Sequence, residues 1–182
     1  MTARALLLTL IPAALLMSAA NAGLLAVDTA TPAPPFTHAR ADEWLNSPPL
    51  AWKDLGGRVV LVEFWAFECW NCERSLPWLQ TLAGKFGEHD FELIGVHTPE
   101  LESERVRDNV VRAVQKNGIR FPVVLDNDYS YWVALRNQYW PAFYLVDRHG
   151  RLRGTFAGET HPGDANAMAM EKAIAALIAE KQ

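Results

Sequence analysis

Apolar and polar positions alternate along this chain in two rhythms, one of strands and one of helices. Val59-Val60-Leu61-Val62-Glu63-Phe64-Trp65-Ala66 is a nearly unbroken apolar run and predicts a strand buried on both faces. Leu76, Leu79 and Leu82 recur at helical spacing and predict a helix over 72–86, kinked at Pro77. Residues 91–96 predict a second core strand, and Val106, Val110 and Val114 a helix closed by Asn117-Gly118. A short strand over 122–125 and a short helix over 130–138 follow. Residues 142–146 and 152–157 form a hairpin around Asp147-Arg148-His149-Gly150. An alanine-rich helix over 166–180 closes the chain. A short helical piece over 40–46, stopped by Ser47-Pro48-Pro49, opens the folded part, and 55–58 form a turn before the first core strand. Strands alternating with helices and ending in a hairpin give an α/β fold, a central mixed sheet covered on both faces.

The first 22 residues carry a different pattern. Arg4 precedes an apolar run from Ala5 to Met17, and Ala20-Asn21-Ala22 offers a small-residue cleavage site, so 1–22 read as a signal peptide. An uncleaved membrane anchor is the alternative, opposed by Pro12 and the small residues after it. Residues 23–35, with three prolines, read as a mobile tether, and 36–182 as one domain. Localisation is then periplasmic or secreted, or membrane-tethered if the leader stays. The chain has 182 residues, 50% of them hydrophobic, which excludes a disordered or repetitive protein. A net charge of −4, one unit more negative without Arg4, argues against a nucleic-acid partner.

The chemistry lies in the only two cysteines. Cys69-Trp70-Asn71-Cys72 falls where a buried strand passes into a helix. That places the first sulfur at a helix N-terminus, where unpaired N–H groups and the helix dipole favour the reactive thiolate. The second lies one turn inward, placed to attack a mixed disulfide formed on the first. An inert disulfide would close a loop too small to stabilise much. A zinc site needs about four ligands, and neither a second cysteine pair nor a close histidine pair exists. Glu63 is an acid inside an apolar strand, six residues before Cys69. Burial would raise its pKa and suit it to carry a proton; a solvated edge or a cationic partner would make it ordinary.

Val62-Glu63-Phe64-Trp65-Ala66 before the C-x-x-C, Pro77 five residues after Cys72, and Trp140-Pro141 opening a later strand together resemble the thioredoxin superfamily. The long segment before Pro141 resembles its exported TlpA/ResA-like branch, with an extra strand–helix insertion. Phe121-Pro122-Val123-Val124-Leu125-Asp126-Asn127-Asp128-Tyr129 and Gln138-Tyr139-Trp140-Pro141 resemble, more closely still, the thioredoxin-like domain of DipZ-type proteins. The resemblance covers about residues 40 to 160. It implies a thioredoxin-like fold and a catalytic set of Cys69 as attacking thiol, Cys72 as resolving thiol, Glu63 as proton acceptor and Pro141 as the cis-proline facing the sulfurs. Sequence alone favours an ordinary trans proline at a strand start, and the resemblance reverses that reading. Glu68 stands where many members have Trp, so no role rests on that indole.

Trp70 and Trp140 are candidates for substrate binding, with Trp65 and Trp78 as further rim candidates, Trp65 being the more core-like. His97-Thr98-Pro99 reads as a strand-to-helix cap, and His38, His89, His149 and His161 as solvated loop residues. The two sulfurs carry the electrons, so no cofactor or metal is expected. Glu68 and Glu73 oppose a single Arg74, a balance that disfavours the thiolate and points to a reductase. Protein disulfides would be its substrates, and a secreted dithiol would need a membrane electron donor of the DsbD/CcdA type. A thiol oxidase or isomerase, a thiol peroxidase and a copper-handling assembly factor are the rivals.

Overall fold

The computed structural model describes residues 31–87 and 90–180. The expected signal peptide, the first part of the tether and His89 lie outside these residues. Six strands form one mixed sheet in the order β1-β4-β3-β2-β5-β6. They are β1 (Trp44–Leu45), β2 (Val59–Trp65), β3 (Phe91–His97), β4 (Val123–Leu125), β5 (Ala142–Val146) and β6 (Leu152–Ala157). The helices are α1 (Trp70–Phe86), α2 (Arg107–Lys116), α3 (Ser130–Ala134) and α4 (Ala165–Ala179). β2 runs parallel to β3 and antiparallel to β5, and β3 parallel to β4. All seven residues of β2 are buried, as its unbroken apolar run requires of a central strand.

Alternation along the strands divides the core. Val59 and Leu61 of β2, Phe91 and Leu93 of β3, and Phe143 and Leu145 of β5 pack against Trp78, Leu79 and Leu82 of α1 and Ala167, Met170, Ile174 and Leu177 of α4. The opposite face, with Val60, Val62, Phe64, Ile94, Val96 and Tyr144, is covered by Tyr131 and Leu135 at α3 and by Ala33, Trp44 and Leu55. α2 packs through Val110 and Val114 onto Val123 and Leu125, in the same cluster as Trp65, both cysteines and Leu76. The extra segment between β3 and α3 is therefore α2 with β4, and it builds one wall of the cysteine site. Pro77 lies inside α1, where it removes one helical N–H.

Several expectations change. Residues 40–46 form a 3-10 turn over Ala41–Glu43 and then β1, because Trp44 and Leu45 pair antiparallel with Val124 and Val123. Tertiary pairing overrides the local helical pattern there. The 130–138 helix stops at Ala134, since Arg136 takes a left-handed φ of 52°. Residues 31–35 belong to the folded part: Pro32 bridges to Arg151, and Ala33 donates its N–H to the Gly150 carbonyl at 2.8 Å. Among the described residues no helix is long and apolar enough to cross a membrane.

Candidate active site

Cys69 and Cys72 are joined in a disulfide, with Cα atoms 5.3 Å apart, between the end of β2 and the first turn of α1. The Cys69 carbonyl accepts the N–H groups of Cys72 and Glu73, each at 3.1 Å, and Cys69 Sγ accepts the Cys72 N–H at 3.3 Å. Cys69 thus stands at the start of the helix, where backbone donors favour negative charge on sulfur. Only 7% of Cys69 and 3% of Cys72 is exposed in this oxidised state, so the outer sulfur is more covered than its position suggests.

Glu63 pairs in register with Gly95 of β3 and Phe143 of β5, at the centre of the sheet. Its side chain points to the α1 face, the face of Leu61. It is 2% exposed, and among the described residues no side chain ion-pairs or hydrogen-bonds with its carboxyl. Burial alone pushes that carboxyl well above the usual range. Glu63 and Cys72 line one cavity of about 10 Å³ with Trp65, Phe67, Glu73 and Leu76. That is about the space one water molecule needs. The inner sulfur and the buried acid therefore border the same small cavity. A larger crevice of about 620 Å³ opens by Leu79, Phe91, Leu93, Phe121 and Arg120 and touches neither cysteine.

The Trp140–Pro141 peptide is cis. Pro141 is buried, and its carbonyl accepts the Gly158 N–H at 2.9 Å. Trp140 is half-buried against the cysteine cluster; it donates through Nε1 to the Thr98 carbonyl at 3.0 Å and packs on Trp132 with ring centres 4.0 Å apart. Trp70 is 68% exposed beside the sulfurs, and Tyr139 is also exposed. Trp65 is core. Trp78 leaves the rim altogether: it is buried, and its Nε1 donates to Glu171 Oε1 at 2.9 Å.

Two histidines differ from expectation. His97 ends β3 rather than capping a helix, fully buried, its ring 5.0 Å from Trp65, and neither ring nitrogen has a partner. Burial pushes its pKa down to about 3, so it is neutral. His38 is buried, not solvated, because Nε2 lies 3.0 Å from Oδ1 of the fully buried Asp126. Asp126 also accepts the N–H groups of Tyr131 (2.9 Å) and Trp132 (3.0 Å) and the Thr98 hydroxyl (2.9 Å). His38, Asp126 and Asp128 lie close enough to suggest a metal site. The Asp126 oxygens are already taken by four protein groups, so the cluster is a lock between the N-terminal segment, β3 and α3.

Sequence patterning missed the wall opposite Cys69. Glu104 lies in a 3-10 turn over Glu102–Arg105, wholly buried, and its Oε1 accepts the N–H of Glu68 at 2.8 Å. The one local signal is its place three residues after Leu101, whose N–H it caps at 2.9 Å. Arg74, the cation expected to temper the acids, turns away to Glu159 at 2.9 Å.

A redox-closed C-x-x-C at the head of α1, a buried acid behind it and a cis-proline loop beside it, on a mixed sheet of this order, define the class: a thioredoxin-like fold carrying the site of the thiol–disulfide oxidoreductase family. The chain belongs to the AhpC/TSA family, whose model matches residues 29–155. Protein DipZ of Mycobacterium tuberculosis is 43% identical over 126 residues, which are 68% of this chain and 18% of DipZ. The chain thus spans less than a fifth of that relative. Thiol-disulfide oxidoreductase YkuV of Bacillus subtilis is 27% identical over 151 residues, 83% of this chain and 97% of YkuV. Among solved structures, a thioredoxin-like protein in the oxidised form superposes with TM-score 0.71 at 25% identity, covering 86% of this chain and all of that one. A thiol-disulfide isomerase from Corynebacterium glutamicum gives TM-score 0.68 at 24% identity, covering 82% and 98%, a likeness of fold.

Proposed function

We propose that this oxidoreductase is exported and works as a reductase, passing electrons from Cys69 and Cys72 to disulfides in protein substrates. The observation that carries the direction is the charge around the pair. Glu68 and Glu73 flank it, Glu104 is buried behind Glu68, and Arg74 is held by Glu159. Acids beside a sulfur disfavour its thiolate and so favour the disulfide form, which makes the dithiol a good electron donor. The Cys69 thiolate attacks one substrate sulfur, and the other leaves as a thiolate. Cys72 then gives its proton to the carboxylate form of Glu63, which its raised pKa makes the stronger base, and attacks Cys69 Sγ, expelling the second substrate thiolate. Two electrons pass to the substrate and the Cys69–Cys72 disulfide is restored. Pro141 and Trp140 border the approach, with Trp70 as an exposed apolar contact.

The leader-like pattern of residues 1–22 supports export. An exported dithiol needs a supply of electrons, which points to a membrane donor of the DsbD/CcdA type. A peroxidase would need an activating arginine at its sulfur, and Arg74 is engaged elsewhere. Equilibration with glutathione tests the direction. The couple should lie nearer about −270 mV than the roughly −120 mV of a strong oxidant, and the protein should reduce insulin. A potential above that of glutathione-poised systems would make it a thiol oxidase.

A further inference from the structure

We propose that Glu104 is a positioning residue of the redox pair: its buried carboxylate clamps the turn carrying Cys69 to the loop at 99–105 and sets an anion against the backbone N–H of the residue before Cys69. Glu104 Oε1 accepts the Glu68 N–H at 2.8 Å, one residue before Cys69. Oε2 accepts the N–H groups of Glu100 at 2.6 Å and Leu101 at 2.9 Å. Ser103 adds a second tie, its hydroxyl donating to Glu68 Oε1 at 2.8 Å. The far side of the loop is anchored independently. Arg105 donates to the Asn127 carbonyl at 2.6 Å, Asn127 returns a bond to the Arg105 carbonyl at 2.9 Å, and Tyr129 donates to the Pro99 carbonyl. Glu104 therefore joins a fixed wall to the backbone that leads into the cysteine turn.

The three donors are all neutral backbone groups. Among the described residues no Lys, Arg or His pairs with Glu104, so no cation cancels its charge. A carboxylate accepts at both oxygens without donating, which suits three N–H groups and suits no amide. In a site with little water its field reaches the sulfur more strongly than that of an exposed acid. Ionisable groups on the elements around the pair include Glu63 on β2, His97 at the end of β3, Glu68, Glu73 and Arg74 at the head of α1, and Glu100 on the loop. On reduction the disulfide takes two electrons and two protons from two glutathione thiols, which become glutathione disulfide. An anion held one residue before Cys69 opposes the thiolate form of the product and shifts this exchange toward the protein disulfide.

This inference rests on the dithiol exchange proposed above. The test is the equilibrium with glutathione in Glu104→Gln, Glu104→Asp and Asp147→Asn, with the pH profile of Cys69 alkylation by iodoacetamide. Glu104→Gln removes the charge and keeps the size. It should move the equilibrium about tenfold toward the dithiol, roughly 30 mV for two electrons, and shift the alkylation midpoint to lower pH. Glu104→Asp keeps the charge on a shorter arm and should move the equilibrium less than about threefold. Asp147→Asn weakens the ion pairs with Arg151 and Arg153 at the β5–β6 turn and serves as a stability control. If Glu104→Gln loses stability but moves the equilibrium and the alkylation profile no further than Asp147→Asn, Glu104 is only a staple and the inference fails. Amide exchange in the unaltered protein needs no variant: the Glu68, Glu100 and Leu101 N–H groups should be protected although none is in a helix or strand, and rapid exchange would overturn the clamp. A wild-type pair that never exchanges with glutathione would sink the redox reading itself.

Discussion

Glu63→Gln separates the two consequences of burying an acid in the central strand. The carboxyl is 2% exposed with no partner among the described residues, and burial holds its pKa well above the usual 4.5. Below pH 4.5 the acid is protonated both folded and unfolded, so its burial costs nothing extra from ionisation. Above that pH the unfolded chain releases a proton that the folded protein keeps, so stability falls as pH rises until the native pKa is passed. The slope is about 1.4 kcal/mol per pH unit. Glutamine does not titrate, so the variant should match wild type near pH 4 and gain on it by about that slope above 4.5. Urea unfolding of the oxidised proteins from pH 4 to 8 reads the difference directly. Kinetics supply the second arm. Glu63→Gln should form mixed disulfides at a near-normal rate but resolve them about 10- to 100-fold more slowly near neutral pH. That deficit should shrink as pH rises and Cys72 ionises unaided. A stability difference flat in pH, with resolution unchanged at pH 7, would show that Glu63 neither has a raised pKa nor moves a proton.

Cys72→Ser should accumulate mixed disulfides through Cys69 while Cys69→Ser traps almost none; equal trapping on non-reducing gels would remove the division of roles. Gly95→Ala should destabilise by about 1–3 kcal/mol in thermal unfolding. Its new Cβ would lie 2.9 Å from Trp65 Nε1 and 3.0 Å from Phe121 Cε2, and an unchanged midpoint would show that these rings yield freely. Asp126→Asn should cost about 3–5 kcal/mol by stripping a buried acceptor from His38, Thr98, Tyr131 and Trp132. The hydrogen bond to Asp126, outweighing burial, raises the His38 pKa, so this pair's stabilisation is complete below pH 6.5 and lost as pH rises through the raised value. The variant should lose that pH dependence in denaturant titrations.

The strands and long helices were legible because each is a local pattern: β2 is apolar at every position but one, and α1 repeats leucine at helical spacing. What escaped depends on partners far away in the chain. Trp44 and Leu45 become β1 only because β4 offers them an edge some eighty residues on. His38 looks like any loop histidine until Asp126 arrives from 88 positions away. The end of α3 at a left-handed Arg136 breaks no helix rule readable in sequence, since neither glycine nor proline marks it.

The two buried acids of the site show the same boundary within one chemistry. Glu63 could be found because its neighbours on both sides are apolar, so the strand itself reports that the carboxyl has nowhere wet to go. Glu104 sits among Glu102, Ser103 and Arg105, all exposed, where patterning predicts a solvated carboxylate. It is buried because the loop folds over it and supplies Glu100 and Leu101 N–H groups, while the cysteine turn supplies a third from Glu68. Without donors, burial raises the pKa of the first acid, whereas three backbone N–H groups satisfy the second. Under the proposed reading the first exchanges a proton with Cys72 and the second clamps the backbone one residue before Cys69. The two roles are set by environment, since the residue type is the same.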